Sequence, residues 1–319
     1  MTKAIRIYET GGPEVLKWED IQLEDPESGQ VRLKHTAIGL NFIDCYHRSG
    51  LYPAELPLTL GSEAVGIIEA IGPNVTGFEI GQRVTYCGGQ TGSYSMERNI
   101  DANVLIPLPN NINDKDAAAM MLKGLTAHML MFKCYQVKKG DTILIHAAAG
   151  GVGSVAIAIL AKLGYTVIAG TGRQEAHDYL SSLGATSFVE REELEGEGRP
   201  LDRALWAGAI DNVGSTILAN VASKIKQDGA ISVCGNAAGV DLPTTVLPLI
   251  LRGISLNGIN SVEVPTVKRV EIWQRLVADL DKEKLDSMTN VVSFNDLLPL
   301  SKEILEGKVR GRTVVDVNA

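Results

Sequence analysis

Residues 141–164, DTILIHAAAGGVGSVAIAILAKLG, hold an apolar strand, a glycine turn and a small-residue helix in immediate succession. Ile143–His146 is short and has no polar face, as a strand buried in a parallel sheet requires. Val152–Leu163 carries Ala and Ile around most of its circumference, the pattern of a buried helix. Gly150, Gly151 and Gly153 tighten the turn, let backbone approach a pyrophosphate and let the helix pack on the strand. The helix start, with Val152 in its first turn, then faces the anion. Ala148 stands where the dinucleotide fingerprint has its first glycine. The motif by itself therefore reads either as a nucleotide site or as an ordinary strand-to-helix junction.

A second strand, Tyr165–Ala169, follows at the spacing of a βαβ unit. NAD-specific proteins place an acidic residue about 20 positions past the glycines to hold the ribose 2'-hydroxyl. This chain has Gly170-Thr171-Gly172-Arg173 instead. A carboxylate there would repel a 2'-phosphate, whereas a hydroxyl and a guanidinium bind one through charge-assisted hydrogen bonds. Thr171, Gly172 and Arg173 thus point to NADPH. The same residues also read as a helix start, Thr171 capping QEAHDYL with Gln174 closing a capping box and Arg173 solvated, and both roles are compatible.

At 319 residues and 45% hydrophobic content the chain is long enough for two domains with a large core. A net charge of -8 and a pI near 5.3 argue against a nucleic-acid or anionic-membrane partner. The acid concentrated at Glu190–Glu197 reads most simply as a solvated loop. Met1–Arg6 runs into a charged strand pattern, so no secretory leader is expected, and no apolar run is convincing as a membrane span. Cys45, Cys87, Cys134 and Cys234 are widely spaced, which suggests neither a disulfide framework nor a metal site and fits a reducing cytoplasm.

Residues 1 to about 110 alternate short strands and turns: AIRIYE, QVRLKHTAIGL, EAVGIIEAIG, QRVTYC and NVLIPLP. From about Asp116 the pattern switches to helix and then to strand and helix in alternation. Further strands are expected at Thr186–Val189, Ala207–Asn212, Ala230–Cys234 and Ile254–Asn260, completing one doubly wound parallel sheet. A helix over Val267–Asp281 and a strand over Arg312–Val317 are expected to return to the first domain. The fold class is α/β. The division is 1–122 for a β-barrel-like catalytic domain, 123–262 for a Rossmann cofactor domain and 263–319 for the returning segment.

The β-rich first part, the AAAGGVG turn and the returning C-terminus resemble the medium-chain dehydrogenase/reductase superfamily over essentially the whole chain, which implies that the first domain is GroES-like. Where its zinc alcohol dehydrogenases have Cys-x-x-Asp and Gly-His-Glu, this chain has Asn41-Phe42-Ile43-Asp44 and Gly61-Ser62-Glu63. Both zinc ligands and the four-cysteine lobe are missing, so no metal is expected and the resemblance narrows to the zinc-free reductases. GGPEVL, AIGLNFIDCYHRSGLYP and LKGLTAHML resemble quinone oxidoreductases of the zeta-crystallin type, up to about Gly153. LAKLGYTVIAGTGR, YLSSLGA, RPLDRALWAGAIDNVG and VRGRTVVDVN, beyond it, resemble acryloyl-CoA reductases. The chain thus reads as a mosaic, or chimera, joined at the glycine turn.

The resemblance implies an NADPH-dependent, zinc-independent reductase that passes hydride to a quinone or activated enone. The alternatives are an acryloyl-CoA reductase and, in another class, an NADPH-binding structural protein with little turnover. It places Asn41 and Phe42 beside the nicotinamide, and Tyr46 and Tyr52 in the substrate pocket, where they read equally as aromatic packing within a loop at 41–53. His47 and Arg48 are expected to be exposed loop residues. Lys123, Thr126, Gly235, Asn236, Ile259 and Ser261 are implied on the nicotinamide side, and Asn212 near the adenosine, where it also reads as a polar strand end. Arg312 and Asn318 are implied to close over the cofactor. Cys45 is expected to be buried and unreactive. In the superfamily the edge of the sheet at Ile254–Asn260 pairs between subunits, which implies a homodimer.

Overall fold

The computed structural model describes residues 1–88, 90–134 and 137–319. The chain divides into one unit of Met1–Leu122, Val262–Glu271 and Thr289–Ala319 and a second of Lys123–Ser261 and Ile272–Met288.

The second unit is built on a parallel sheet of six strands. In chain order these are Thr142–Ile145, Thr166–Thr171, Ser187–Glu190, Trp206–Asp211, Ile225–Val233 and Ser255–Gly258. In space they run third, second, first, fourth, fifth, sixth. The order reverses beside the first strand, where open α/β sheets bind ligands at their carboxyl ends. Leu144, Ile145, Val167, Ala209 and Ile231 are buried because helices cover both faces of such a sheet. The helix Gly151–Lys162 is buried from Gly153 to Leu160.

Ile272–Met288 was expected with the returning segment, and the structure groups it with this second unit. Trp273, Leu276, Leu280, Leu285 and Met288 are buried. A Cβ on Gly124 would stand 2.9 Å from Leu276 Cδ1, so the absence of a side chain there admits the leucine. Lys162 Nζ donates to Asp281 at 2.8 Å and to the Ala278 carbonyl at 3.0 Å, and Lys284 Nζ to the Leu183 carbonyl at 2.8 Å. Apolar packing and these ammonium contacts outweigh sequence order.

The first unit carries a three-stranded sheet and a seven-stranded one around a core that includes Ile5, Leu33, Ile38, Ile68, Tyr86 and Val315. Gln30–Gly39 is the hub, pairing with Glu63–Ile71, Glu97–Asp101 and the C-terminal strand Arg312–Asp316. Thr289–Ser293, not anticipated as a strand, pairs in parallel with Arg312–Asp316. The 41–53 stretch, expected as a loop, contains the helix Phe42–Ser49, ended by Gly50 at φ 82°. Its signal was in the sequence: Asn41 at the N-cap, Asp44 three residues on, and a glycine for the left-handed C-terminal residue.

Candidate functional site

In the second unit the first strand ends at Ile145, and Ala147 takes φ 45° to swing the chain into the glycine turn. A Cβ on Gly153 would lie 2.6 Å from the Ala148 carbonyl and 2.7 Å from that of Ala147, so helix and turn meet backbone to backbone. Gly150 is less crowded, 3.2 Å from the Ala147 carbonyl. Gly150, Gly151 and Val152 are half-exposed at the start of the helix, whose first N–H groups have no partner within it. Behind them, Tyr179 Oη donates to Ser154 Oγ at 2.8 Å and fixes the turn from the core side.

The carboxyl ends of the first, fourth and fifth strands are stitched together by side chains. His146 Nδ1 donates to Asp211 Oδ2 at 2.7 Å, both groups being buried. Asp211 Oδ1 takes the N–H groups of Val213 and Gly214, while Asn212 Nδ2 donates to the His146 carbonyl at 2.8 Å. Cys234 Sγ donates to Asn212 Oδ1 at 3.1 Å. Burial pushes the Cys234 thiol up to about 12, against the opposing pull of Lys123 and together with the charge of Asp211. A Cβ on Gly235 would sit 2.0 Å from the Asn212 carbonyl. Thr126 and Ser261 are buried with their hydroxyls 2.7 Å apart. Ile259 is half-exposed and donates its N–H to Val233.

Among the described residues, the buried His146 Nε2 and Asn236 Oδ1 on this face have no hydrogen-bond partner. An orphaned acceptor is costly unless something completes it. Together with the close-approach glycines, these atoms fit a dinucleotide at the carboxyl edge of the sheet. At the end of the second strand Thr171 is buried, and its Oγ1 accepts the N–H of Arg173 at 3.1 Å. That bond shapes the turn and leaves Gly172 exposed and Arg173 half-exposed. The helical turn after it is 3-10 from Gln174 with Arg173 at its N-cap, so Thr171 does not form the anticipated capping box.

In the first unit the positions of the missing zinc ligands are occupied by neutral groups with internal partners. Asn41 is fully buried; its Nδ2 donates to Glu63 Oε1 at 2.9 Å and to the Gly39 carbonyl at 3.1 Å. Ser62 Oγ donates to Asp44 Oδ1 at 2.6 Å, and Tyr94 Oη to Asp44 Oδ2 at 2.8 Å. Among the described residues no group of three or more His, Cys, Asp or Glu is arranged to hold a metal ion.

Arg312 is drawn into the core of the first unit. It is buried, and its guanidinium donates to Glu63, to Asn41 Oδ1 and to the carbonyls of Leu40, Ala118 and Ala119. A guanidinium committed to those acceptors positions Glu63 and Asn41. Asn41 has both ends of its amide in the same network. Asn318 is exposed near the C-terminus, its N–H held by Asp316. Arg48, expected on the surface, is buried and donates to the Gly11 and Ser301 carbonyls. Cys45 is buried. Phe42, Tyr46 and Tyr52 form an edge-to-face chain with centroids 5.2 Å apart at each step, and His47 meets Tyr52 at 5.8 Å.

Residues 27–110 match the alcohol dehydrogenase GroES-like domain and residues 151–280 the zinc-binding dehydrogenase domain. The acrylyl-CoA reductase AcuI of Ruegeria pomeroyi is 38% identical over 312 residues, 94% of each chain. A quinone oxidoreductase of Pseudomonas aeruginosa is 40% identical over 243 residues, 75% of each chain. Among solved structures, the yhdH oxidoreductase from Salmonella enterica in complex with NADP superposes with a TM-score of 0.90 at 31% identity, over 99% of this chain and 100% of that one. The first unit is thus a GroES-like domain and the second a Rossmann-type cofactor domain.

Proposed function

The chain belongs to the medium-chain dehydrogenase/reductase family, on its zinc-free side, and on that premise we propose that it transfers hydride from NADPH to a quinone or an activated enone. One observation carries this more than any other: the backbone-to-backbone packing at Gly153, beside a second strand that ends in Thr171-Gly172-Arg173 and no carboxylate. NADPH, when bound, supplies the hydride. The protein binds, orients and excludes water. Gly150, Gly151, Val152 and Gly153 receive the pyrophosphate, and Thr171, Gly172 and Arg173 the 2'-phosphate. Lys123, Thr126, Asn212, Gly235, Asn236, Ile259 and Ser261 line the nicotinamide side, where the orphaned Asn236 Oδ1 accepts a ribose hydroxyl. Phe42, Tyr46 and Tyr52 offer a flat acceptor aromatic faces, and a phenol of the two tyrosines donates to its developing oxyanion.

A second reading, reduction of an acryloyl thioester, is favoured by the match to an acrylyl-CoA reductase along 94% of the chain. NADPH oxidation measured side by side with 1,4-benzoquinone, a simple enone and acryloyl-CoA decides between them. The highest kcat/KM is expected on the quinone or enone. A higher value on acryloyl-CoA reverses the order, and tight NADPH binding without oxidation on any acceptor leaves a structural role.

The mosaic origin belongs to the same proposal. Its support is the change of likeness past Gly153, and scoring the two halves separately against both groups tests it. A homodimer is supported by the sixth strand at the sheet edge, beside which Val246, Ile250, Leu251 and Leu256 are exposed. No helix of the described residues is long and apolar enough to cross a membrane. The four cysteines are free, which supports a cytoplasmic setting.

A further inference from the structure

The buried pair His146–Asp211 has no task in the hydride transfer described above, yet it lies directly under the turn that follows the fourth strand. Asp211 takes three donors: His146 Nδ1 at 2.7 Å, the Val213 N–H at 3.1 Å and the Gly214 N–H at 2.7 Å. The turn so clamped is one the chain does not hold unaided. Gly214 stands at φ 74° and Ser215 at φ 54°, and a residue with a side chain keeps a positive φ only where its surroundings over-determine it. We propose that His146 is a positioning residue: acting through Asp211 it fixes the turn at Val213–Ser215, and through that turn the loop Gly235–Gly239 against which the nicotinamide ribose rests. This rests on the reading of Gly235 and Asn236 as nicotinamide-side residues.

From the turn to the loop the contact is backbone against backbone. The Val213 carbonyl accepts the N–H of Ala238 at 2.9 Å, and the Asp211 carbonyl that of Cys234 at 3.0 Å. A Cβ on Gly214 would stand 2.9 Å from the Gly239 carbonyl and 3.1 Å from that of Gly235, so a displaced turn pushes the loop with it. The imidazole at the other end is itself immobile. A Cβ on Gly170 would stand 3.0 Å from His146 Cδ2, which sets the ring between the second strand and Asp211 of the fourth. Its own backbone is tied at both ends, the N–H to the Ile210 carbonyl at 3.0 Å and the carbonyl to Asn212 Nδ2 at 2.8 Å. Removing the imidazole N–H takes a donor from a buried carboxylate oxygen, which then draws the turn aside to find another.

The test is titration calorimetry on the whole protein with NADPH and with adenosine 2',5'-bisphosphate, which has no nicotinamide. An asparagine amide nitrogen lies as many bonds from Cβ as Nδ1 does, so His146→Asn keeps a donor to Asp211, whereas the glutamine amide reaches past it. His146→Asn is expected to bind NADPH within about twofold of the unaltered protein, and His146→Gln to raise the NADPH Kd about tenfold, with the bisphosphate Kd unchanged in both. Equal effects on the two ligands mark a role in the fold alone and overturn the proposal. So does an equal loss in both variants, or no loss in either. A second measurement needs no variant: in the unaltered protein the His146 Nδ1–H proton resonance is expected to move on addition of NADPH and to stay in place with the bisphosphate. A resonance indifferent to NADPH, or moved alike by both, also overturns it. Failure of the unaltered protein to bind NADPH overturns the cofactor reading beneath it instead.

Discussion

Arg312 and Glu63 are buried together, and each is the other's principal charge partner. Removing one leaves an uncompensated charge in the core, so Arg312→Ala is expected to cost about 3–5 kcal/mol of stability in urea unfolding. Nothing in VRGR announces this burial, because the carboxylate it meets lies 249 residues away in sequence. Local pattern carries no trace of such a partner, so the sequence placed Arg312 only by its resemblance, near the cofactor. His35 gives a second test. Its Nδ1 faces the Ser95 carbonyl at 2.7 Å and must carry the proton, so Nε2 accepts from Tyr86 Oη at 2.9 Å. Burial pushes its pKa down to about 3, aided by nearby Arg98. The unfolded chain therefore binds the extra proton first as pH falls from about 6.5 towards 3, and the folded state loses stability across that window. His35→Gln is expected to flatten the slope of urea midpoint against pH there. An unchanged slope would assign acid sensitivity to other groups.

At the scale of the element, the glycine turn separates two kinds of glycine. Gly153→Ala drives a methyl to 2.6 Å from a carbonyl oxygen, and the turn must shift. Gly150→Ala meets only one contact, at 3.2 Å. Gly153→Ala is therefore expected to lower the melting temperature by several degrees, corresponding to about 2 kcal/mol, and to weaken NADPH markedly, with Gly150→Ala much the milder in calorimetry and binding. Legibility followed the same division. The inner strands of the parallel sheet could be read because Thr142–Ile145, Thr166–Thr171 and Trp206–Asp211 are short, largely buried apolar runs between turn signals. The helix Phe42–Ser49 was missed because Gly-Leu-Tyr-Pro just after it dominated, although Asn41, Asp44 and Gly50 mark both its ends. In that N-terminal box Asp44 accepts the Asn41 N–H at 3.2 Å, while Asn41 Nδ2 also donates to Glu63.

At the scale of the whole molecule, a free edge strand beside exposed Ile250 and Leu251 calls for a cover. On the proposed homodimer, Leu251→Glu with Ile250→Lys is expected to halve the mass found by sedimentation equilibrium, leaving NADPH affinity unaltered. A monomer before substitution would overturn the dimer. Two units with a return of the chain were legible from the switch between alternating strands and βα repeats. That Ile272–Met288 belongs with the second unit was not, since Leu276 against Gly124 and Lys162 against Asp281 are tertiary contacts without local sign.

The return of the C-terminus to the first unit also governs what a ribosome can complete, and when. The strand Arg312–Asp316 inserts between Gln30–Gly39 and Thr289–Ser293, and it brings the guanidinium that neutralises Glu63. Until residues 312–316 leave the exit tunnel, the first unit lacks an inner strand and Glu63 lacks its Arg312 partner. The parallel sheet has by then been synthesised in full. A strand that the first unit needs is therefore made only after the whole of the parallel sheet.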